Sequence, residues 1–170
     1  VIALGIELGM HLEVMRDALR TYKGTERRFQ IRFKEKGILV IDDYAHHPSE
    51  IEVTLLACKN YNYKRLICIF QPHRFTRTKF LQKEFGKVFK GVDHIIITDI
   101  YPASEPPIEG INAFTLLGHI HKHCSKDNAI YLPRDEIKGH LLNSLREGDL
   151  ILFLGAGDIT EISKELADEL

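Results

Sequence analysis

The 170-residue sequence is short of most features that assign a chain at once. Its 23 basic and 24 acidic residues leave a formal net charge of −1, so it offers nucleic acid or an anionic membrane no overall attraction. It has no apolar run near the ~20 residues that a membrane-spanning helix needs. Its three cysteines, Cys58, Cys68 and Cys124, are odd in number and lack CxxC spacing. That argues against a disulfide framework or a cysteine zinc site and fits buried, reduced thiols in a cytoplasmic protein. The pattern GxxxxGK[ST] occurs nowhere, so the chain carries no Walker-type phosphate cradle of its own. A starting Met and a charged leader are missing too. "VIALGIELGM" reads as the middle of a helix, and the expectation is a piece of something longer.

What is present describes an ordinary globular protein, 44% hydrophobic and 28% charged, with one full core and room for a fragment of a second domain. Apolar spacing through residues 4–22 fits two helices broken near Gly9–Met10, the second running to about Lys23. Gly24 and Thr25 stop it, and a boundary is placed there, with residues 1–27 as a helical tail and 28–170 as a domain. "FQIRF" and "ILVIDD" are strand-like runs joined by the polar turn "KEKG". Helix and strand then alternate: a helix from Pro48 to about Asn60, "RLICIF", a helix near Arg77–Phe89, "HIIITD". A proline-rich loop, "YPASEPPIEG", leads into a helix from about Asn112 to His123. "AIYLP", a helix near Asp135–Leu145, "LILFLG" and a helix from Asp158 complete the chain. This alternation predicts an α/β, Rossmann-like fold: a mostly parallel six-stranded sheet with helices on both faces. The short first turn makes "FQIRF" the one antiparallel strand.

In such sheets ligands bind beyond the carboxyl ends of the strands, where this chain places "DDYAHHP", "QPHR", "TDIYP", "LPRD" and "GAGD". Asp42 and Asp43 are neighbours in a strand and point to opposite faces, so one can serve a ligand while the other holds a backbone amide. Two aspartates at a turn can also serve the turn alone; Tyr44, His46 and His47 beside them favour a site. Arg74 and Arg77, three residues apart at the start of a helix, suit a carboxylate or phosphate, the helix end adding N–H groups and a positive dipole. They can also be two solvated arginines. Gly155 and Gly157 allow close backbone approach, although "GAGD" falls short of a dinucleotide fingerprint and Asp158 can be a plain helix cap. His119, His121 and His123 alternate, and residues two apart on a helix do not share a side. They read as solvated, with no metal site.

Taken together, "RRF", "DDYAHHPSE", "FQPHRFTRT", "TDIYPASEPPIEG" and "GAGDI", in this order and at these separations, resemble the Mur ligases of peptidoglycan synthesis, over essentially the whole chain. The resemblance is strongest to members that join L-alanine to UDP-N-acetylmuramate. It implies that residues 1–27 end a central ATP-binding domain and that 28–170 form the C-terminal domain. It implies ATP and Mg2+ as cofactors of the whole enzyme, an acyl phosphate intermediate, and no nucleic-acid or membrane partner. By the same resemblance Arg28 reaches the ATP phosphates and Asp43 the ribose. Arg74 and Arg77 grip the carboxylate of L-alanine, and Tyr44, His46 and His73 wall the pocket around its methyl group. His47 stands close by, and Gly155, Ala156, Gly157 and Asp158 line the cleft. Ala45 and Phe75 depart from the family's usual glycine and tyrosine. A ligase that attaches a preformed tripeptide, a non-catalytic nucleotide- or anion-binding module, and a histidine-dependent metal hydrolase remain as alternatives.

Overall fold

A computed structural model describes residues 1–22 and 24–170. Two short helices, α1 (Ile2–Glu7) and α2 (Leu12–Thr21), come first, broken at Gly9, which has φ 72°. The expected end of α2 at about Lys23 falls outside the described residues. Gly5 sits on the Met15 sulfur, and Met15 is the buried residue of α2, while Leu4, Ile6, Leu8, Leu12 and Val14 stay exposed.

The sheet begins with β1 (Gln30–Glu35) and β2 (Ile38–Asp43), an antiparallel pair. Their two-residue turn, Lys36–Gly37, has positive φ at both positions (52° and 71°), which matches the twist of a hairpin. Then follow α3 (Pro48–Cys58), β3 (Arg65–Phe70), α4 (Phe75–Val88), β4 (His94–Ile97), α5 (Ala113–Ile120), β5 (Ala129–Tyr131), α6 (Arg134–Ser144), β6 (Asp149–Leu154) and α7 (Ile159–Glu169). The strand order is β1-β2-β6-β3-β4-β5, and every pair except β1–β2 is parallel.

Side chains alternate along each strand between two cores. Ile41, Cys68, Phe70, Ile95, Ile97, Leu150, Leu152 and Leu154 pack with Ile51, Phe85, Phe89, Leu116 and Ile120, beneath α3, α4 and α5. Val40, Ile67, Ile69, Ile96, Ile151 and Phe153 pack with Ile137, Leu141, Ile159, Ile162 and Leu166, beneath α6 and α7. The helix after β3 thus lies on one face and the helix after β6 on the other, although the two strands are neighbours. Their carboxyl ends mark the topological switch point, where such sheets leave a crevice for ligands.

Helix ends differ from expectation by a few residues. α5 stops at Ile120 because the chain turns there, with His121 as its C-cap residue. The Nε2 of His121 is 2.9 Å from the Ala129 carbonyl, so this ring ties α5 to the start of β5 and is not a solvated helix position.

Candidate functional site

The two aspartates that end β2 do face opposite ways. Asp42, fully buried on the α7 side, accepts from Arg32 Nη2 at 2.7 Å and Thr160 Oγ1 at 2.5 Å. Asp43, on the α3 side, holds the turn: it accepts from Phe29 N at 2.6 Å, Ala45 N at 2.8 Å and Thr54 Oγ1 at 3.4 Å. It also shares a shallow groove with Arg28, Ser49, Glu50, Val53 and Thr54. His47 occupies the N-cap of α3, where its Nδ1 meets the Ser49 hydroxyl at 2.9 Å and Glu50 answers the His47 amide at 3.1 Å.

From Tyr44 a row of rings crosses the crevice. Tyr44 meets His46 edge-on at 5.2 Å between centroids, His46 lies 5.5 Å from His73, and His73 stacks on Tyr101 at 5.5 Å. Arg27 and Arg28 both lie against the Tyr44 ring, at 4.9 and 5.3 Å. Ring quadrupoles favour such cationic neighbours. The site residues Arg28, Tyr44, His46, His73 and Arg77 are therefore brought together across the ends of β2 and β3.

α4 begins at Phe75, so Arg74 is its N-cap residue and Arg77 lies in its first turn. Arg74 is held at φ 73°, ψ 136°, a region that a side chain with a Cβ normally avoids. Its amide donates to the Tyr101 carbonyl at 2.8 Å, which pins the strained residue from the β4 side. The Arg77 guanidinium reaches His73 Nδ1 at 3.1 Å and the His73 carbonyl at 3.2 Å. The helix end itself is already served. Thr76 donates its amide and hydroxyl to Glu105 at 3.0 and 2.7 Å. These bonds, together with the nearby Arg74 charge, hold the Glu105 carboxyl below its ordinary range. Glu105 gets there through a tight turn in which Ala103 and Ser104 both take positive φ, closed by Glu105 N to Pro102 O at 3.0 Å. Among the described residues six non-glycine residues have positive φ; Arg74, with Ala103 and Ser104 in the turn that brings Glu105 to it, lies at the start of α4, and Lys36 is in the hairpin.

The strain at Arg74 is measurable. A residue in a sparsely populated backbone region costs about 1–3 kcal/mol, which glycine relieves, offset by ~0.4–1 kcal/mol from its freer unfolded chain. Arg74→Gly is expected to exceed Arg74→Ala in stability by about 1 kcal/mol in urea unfolding. An alanine variant as stable as the glycine variant shows that no strain is stored there.

Burial and the charges of Arg77, His46 and Arg74 push the His73 imidazole down to about 4. It is neutral at pH 7. Between the ordinary value of 6.5 and about 4, the unfolded chain binds a proton that the folded chain does not, so stability rises with pH through that window. The urea midpoint is expected to fall between pH 7 and pH 4.5, and to fall less in His73→Gln. Equal falls in both proteins assign the acid sensitivity elsewhere.

The loop after β6 is closely packed. A Cβ on Gly157 would come within 2.4 Å of Gln71 Oε1 and 2.5 Å of the Tyr101 ring. Buried Gln71 donates to Asp158 Oδ1 at 2.6 Å and accepts from Ile159 N at 3.2 Å. Arg27 donates to the carbonyls of Gly155 and Gly157, the latter at 3.0 Å, so these glycines serve packing and an arginine as well as bordering the crevice. Asp158 is held further by Arg134 Nε at 3.4 Å. Sequence reasoning had no reason to single out Arg27, Gln71, Tyr101 or Glu105. All four stand inside the sequence motifs, Arg27 in "RRF", Gln71 in "QPHR", Tyr101 and Glu105 in "TDIYPASEPPIEG", which was the one available signal.

Comparison with known proteins bears on this arrangement. The family described as Mur ligase, glutamate ligase domain, matches residues 27–157. The UDP-N-acetylmuramate–L-alanine ligase of Pelotomaculum thermopropionicum is 47% identical over 99% of this chain, and that of Geotalea daltonii 44% over 99%. The chain spans 37% of the length of each. The crystal structure of the UDP-N-acetylmuramate-alanine ligase of Thermotoga maritima superposes with a TM-score of 0.76 at 29% identity, over 99% of this chain and 35% of that one.

Proposed function

The chain belongs to the Mur ligase family, and from that premise we propose that it is the C-terminal domain of a ligase joining L-alanine to UDP-N-acetylmuramate. ATP would convert the sugar nucleotide's carboxylate to an acyl phosphate, and the alanine amine would displace phosphate to give the amide. Residues 1–27 would end the central domain and 28–170 form the C-terminal one. The observation that carries the reading is the pair Arg74 and Arg77 at the switch point, next to the row of rings Tyr44, His46 and His73.

In this reading Arg74 and Arg77 hold the alanine carboxylate and leave the amine free. Fixing two reactants in an attacking geometry can remove roughly 7–11 kcal/mol of a barrier, and a two-armed arginine clamp supplies part of it. The rings around the methyl group set a modest selectivity, since one methyl is worth only ~1–3 kcal/mol against glycine. Arg28 is assigned to the ATP phosphates and Asp43 to the ribose, supported by the groove they share. The Asp43 carboxylate has about four acceptor sites, of which three are used within the chain, leaving one for a ribose hydroxyl. Among the described residues no group of three or more His, Cys, Asp or Glu side chains can hold a metal ion; this reading assigns magnesium and the phosphate cradle to the rest of the enzyme. No helix among the described residues is long and apolar enough to cross a membrane.

The test is phosphate release by the full-length ligase with ATP, magnesium and UDP-N-acetylmuramate. Stimulation by L-alanine and not by the tripeptide is expected, and residues 1–170 alone are expected to release none. Stimulation by the tripeptide alone moves the protein to peptidoglycan recycling and refutes the alanine assignment.

A further inference from the structure

The two imidazoles at the crevice are held in opposite tautomers. His46 Nδ1 lies 2.8 Å from the Tyr44 carbonyl, which can only accept, so this nitrogen carries the proton and Nε2 keeps the lone pair. His73 Nδ1 lies 3.1 Å from Arg77 Nη1, which can only donate, so here Nδ1 carries the lone pair and Nε2 the proton. One ring is set up to accept a proton and its neighbour to donate a hydrogen bond. Among the described residues no side chain or backbone group hydrogen-bonds His46 Nε2.

His46 is also supported behind. The Glu50 carboxylate lies 3.5 Å from His46 Nδ1 and accepts the His46 amide at 3.0 Å. Burial pushes the Glu50 carboxyl up, but the His46 and His47 amides and the charges of His46 and Arg28 outweigh it and hold it below its ordinary range. It is therefore ionised at pH 7 and places a negative charge 3.5 Å from His46 Nδ1. The other ionisable groups around His46 are Tyr44 at the end of β2, His47 on α3, and His73 with Arg77 and Arg74 at the start of α4. Tyr101 lies behind His73, and Arg27 and Arg28 lie on Tyr44. A carboxylate, an oriented imidazole and a free lone pair form the usual arrangement of a general base.

We infer that His46 Nε2 is the proton acceptor for the incoming amine, with Glu50 and the Tyr44 carbonyl as its positioning groups. This rests on the proposed function, in which the amino acid arrives as an ammonium and must lose a proton before it can attack. His46 takes that proton onto Nε2 and becomes imidazolium. The freed amine pair forms the C–N bond, the C–O bond of the acyl phosphate breaks, and the second amine proton leaves with the phosphate as hydrogen phosphate. His73, through Nε2–H, is left to orient the substrate and cannot be the base.

Two measurements test this. Imidazole 15N spectra of the 170-residue chain are expected to show Nδ1–H in His46 and Nε2–H in His73. His46 as the Nε2–H tautomer overturns the inference without needing a variant. In the full-length ligase, His46→Gln is expected to lower alanine-dependent phosphate release at pH 7 by roughly 100-fold or more, with recovery as pH rises. Hydroxylamine, already a neutral nucleophile at pH 7, should lose far less rate than alanine does. Loss of both nucleophiles places His46 before the amine step and overturns the assignment. Absence of amine-dependent release in the unsubstituted enzyme instead refutes the proposed function, and this inference with it.

Discussion

Arg77→Ala is expected to raise the alanine concentration for half-maximal turnover by roughly 30-fold or more in the full-length ligase. Truncating one side of a desolvated, hydrogen-bonded charge pair costs about 2–5 kcal/mol, and 1.4 kcal/mol is tenfold in affinity. Arg77 has two tasks in this structure. It supplies one arm of the proposed carboxylate clamp, and it fixes the His73 tautomer through Nδ1 and anchors on the His73 carbonyl. Arg77→Lys keeps the charge and loses the planar fork, so it should recover little. Arg74→Ala should weaken alanine use while leaving the Arg77 contacts that fix the His73 tautomer in place. The readout is the saturation curve for alanine, with hydroxylamine-dependent phosphate release as the control for an intact acyl phosphate step. Unchanged alanine dependence in both arginine variants would falsify the clamp.

At the opposite end of the sheet, Arg65→Ala is expected to destabilise the chain by about 3–5 kcal/mol, the usual result of stranding one member of a buried ion pair. Arg65 grips Asp149 through Nε at 2.8 Å and Nη2 at 2.5 Å, and its Nη2 also reaches the Ser144 carbonyl at 2.9 Å. The Asp149 side chain is only 2% exposed and accepts the Arg146 amide at 2.8 Å. The pair locks the first residues of β3 and β6 together, since Arg65 and Asp149 are register partners. Replacing both, as Arg65→Met with Asp149→Leu, removes the stranded charge and should cost less than Arg65→Ala alone. Urea unfolding of the three variants decides it: a double variant less stable than the single one contradicts the account.

The order of elements was legible because both periods are strong here. Every residue of β6 is buried, and the unbroken run "LILFLG" announces that. The antiparallel β1 followed from a four-residue polar turn. The neighbour relations did not follow, because nothing local in "RLICIF" says that a strand 84 residues later will lie beside it. Of the candidate site, the sequence named residues concentrated in motifs at the strand ends, but it could not separate those with structural partners, such as Asp42 with Arg32 and His47 at the α3 N-cap, from those without. The start of α4 was misplaced because Arg74 adopts a conformation that its residue type disfavours. Local propensity cannot anticipate strain imposed by Tyr101. Glu105 at the start of α4 was invisible for a related reason: its arrival depends on a turn of two residues, Ala103 and Ser104, whose types argue against that turn.

The placement of β6 has a consequence for how the molecule is made. The strand that runs through the middle of the sheet, between β2 and β3, is the last to leave the ribosome. A nascent chain that has reached residue 148 holds the flanking strands with two unsatisfied edges facing a gap, a shape prone to pairing with other chains. The crevice does not exist in that species either, because Gly155–Asp158 and the carbonyls that receive Arg27 have yet to arrive. The candidate site is thus completed in a single late insertion, and pairings this distant in sequence form slowly. Chaperone dependence should accordingly concentrate in the interval before β6 slots into place.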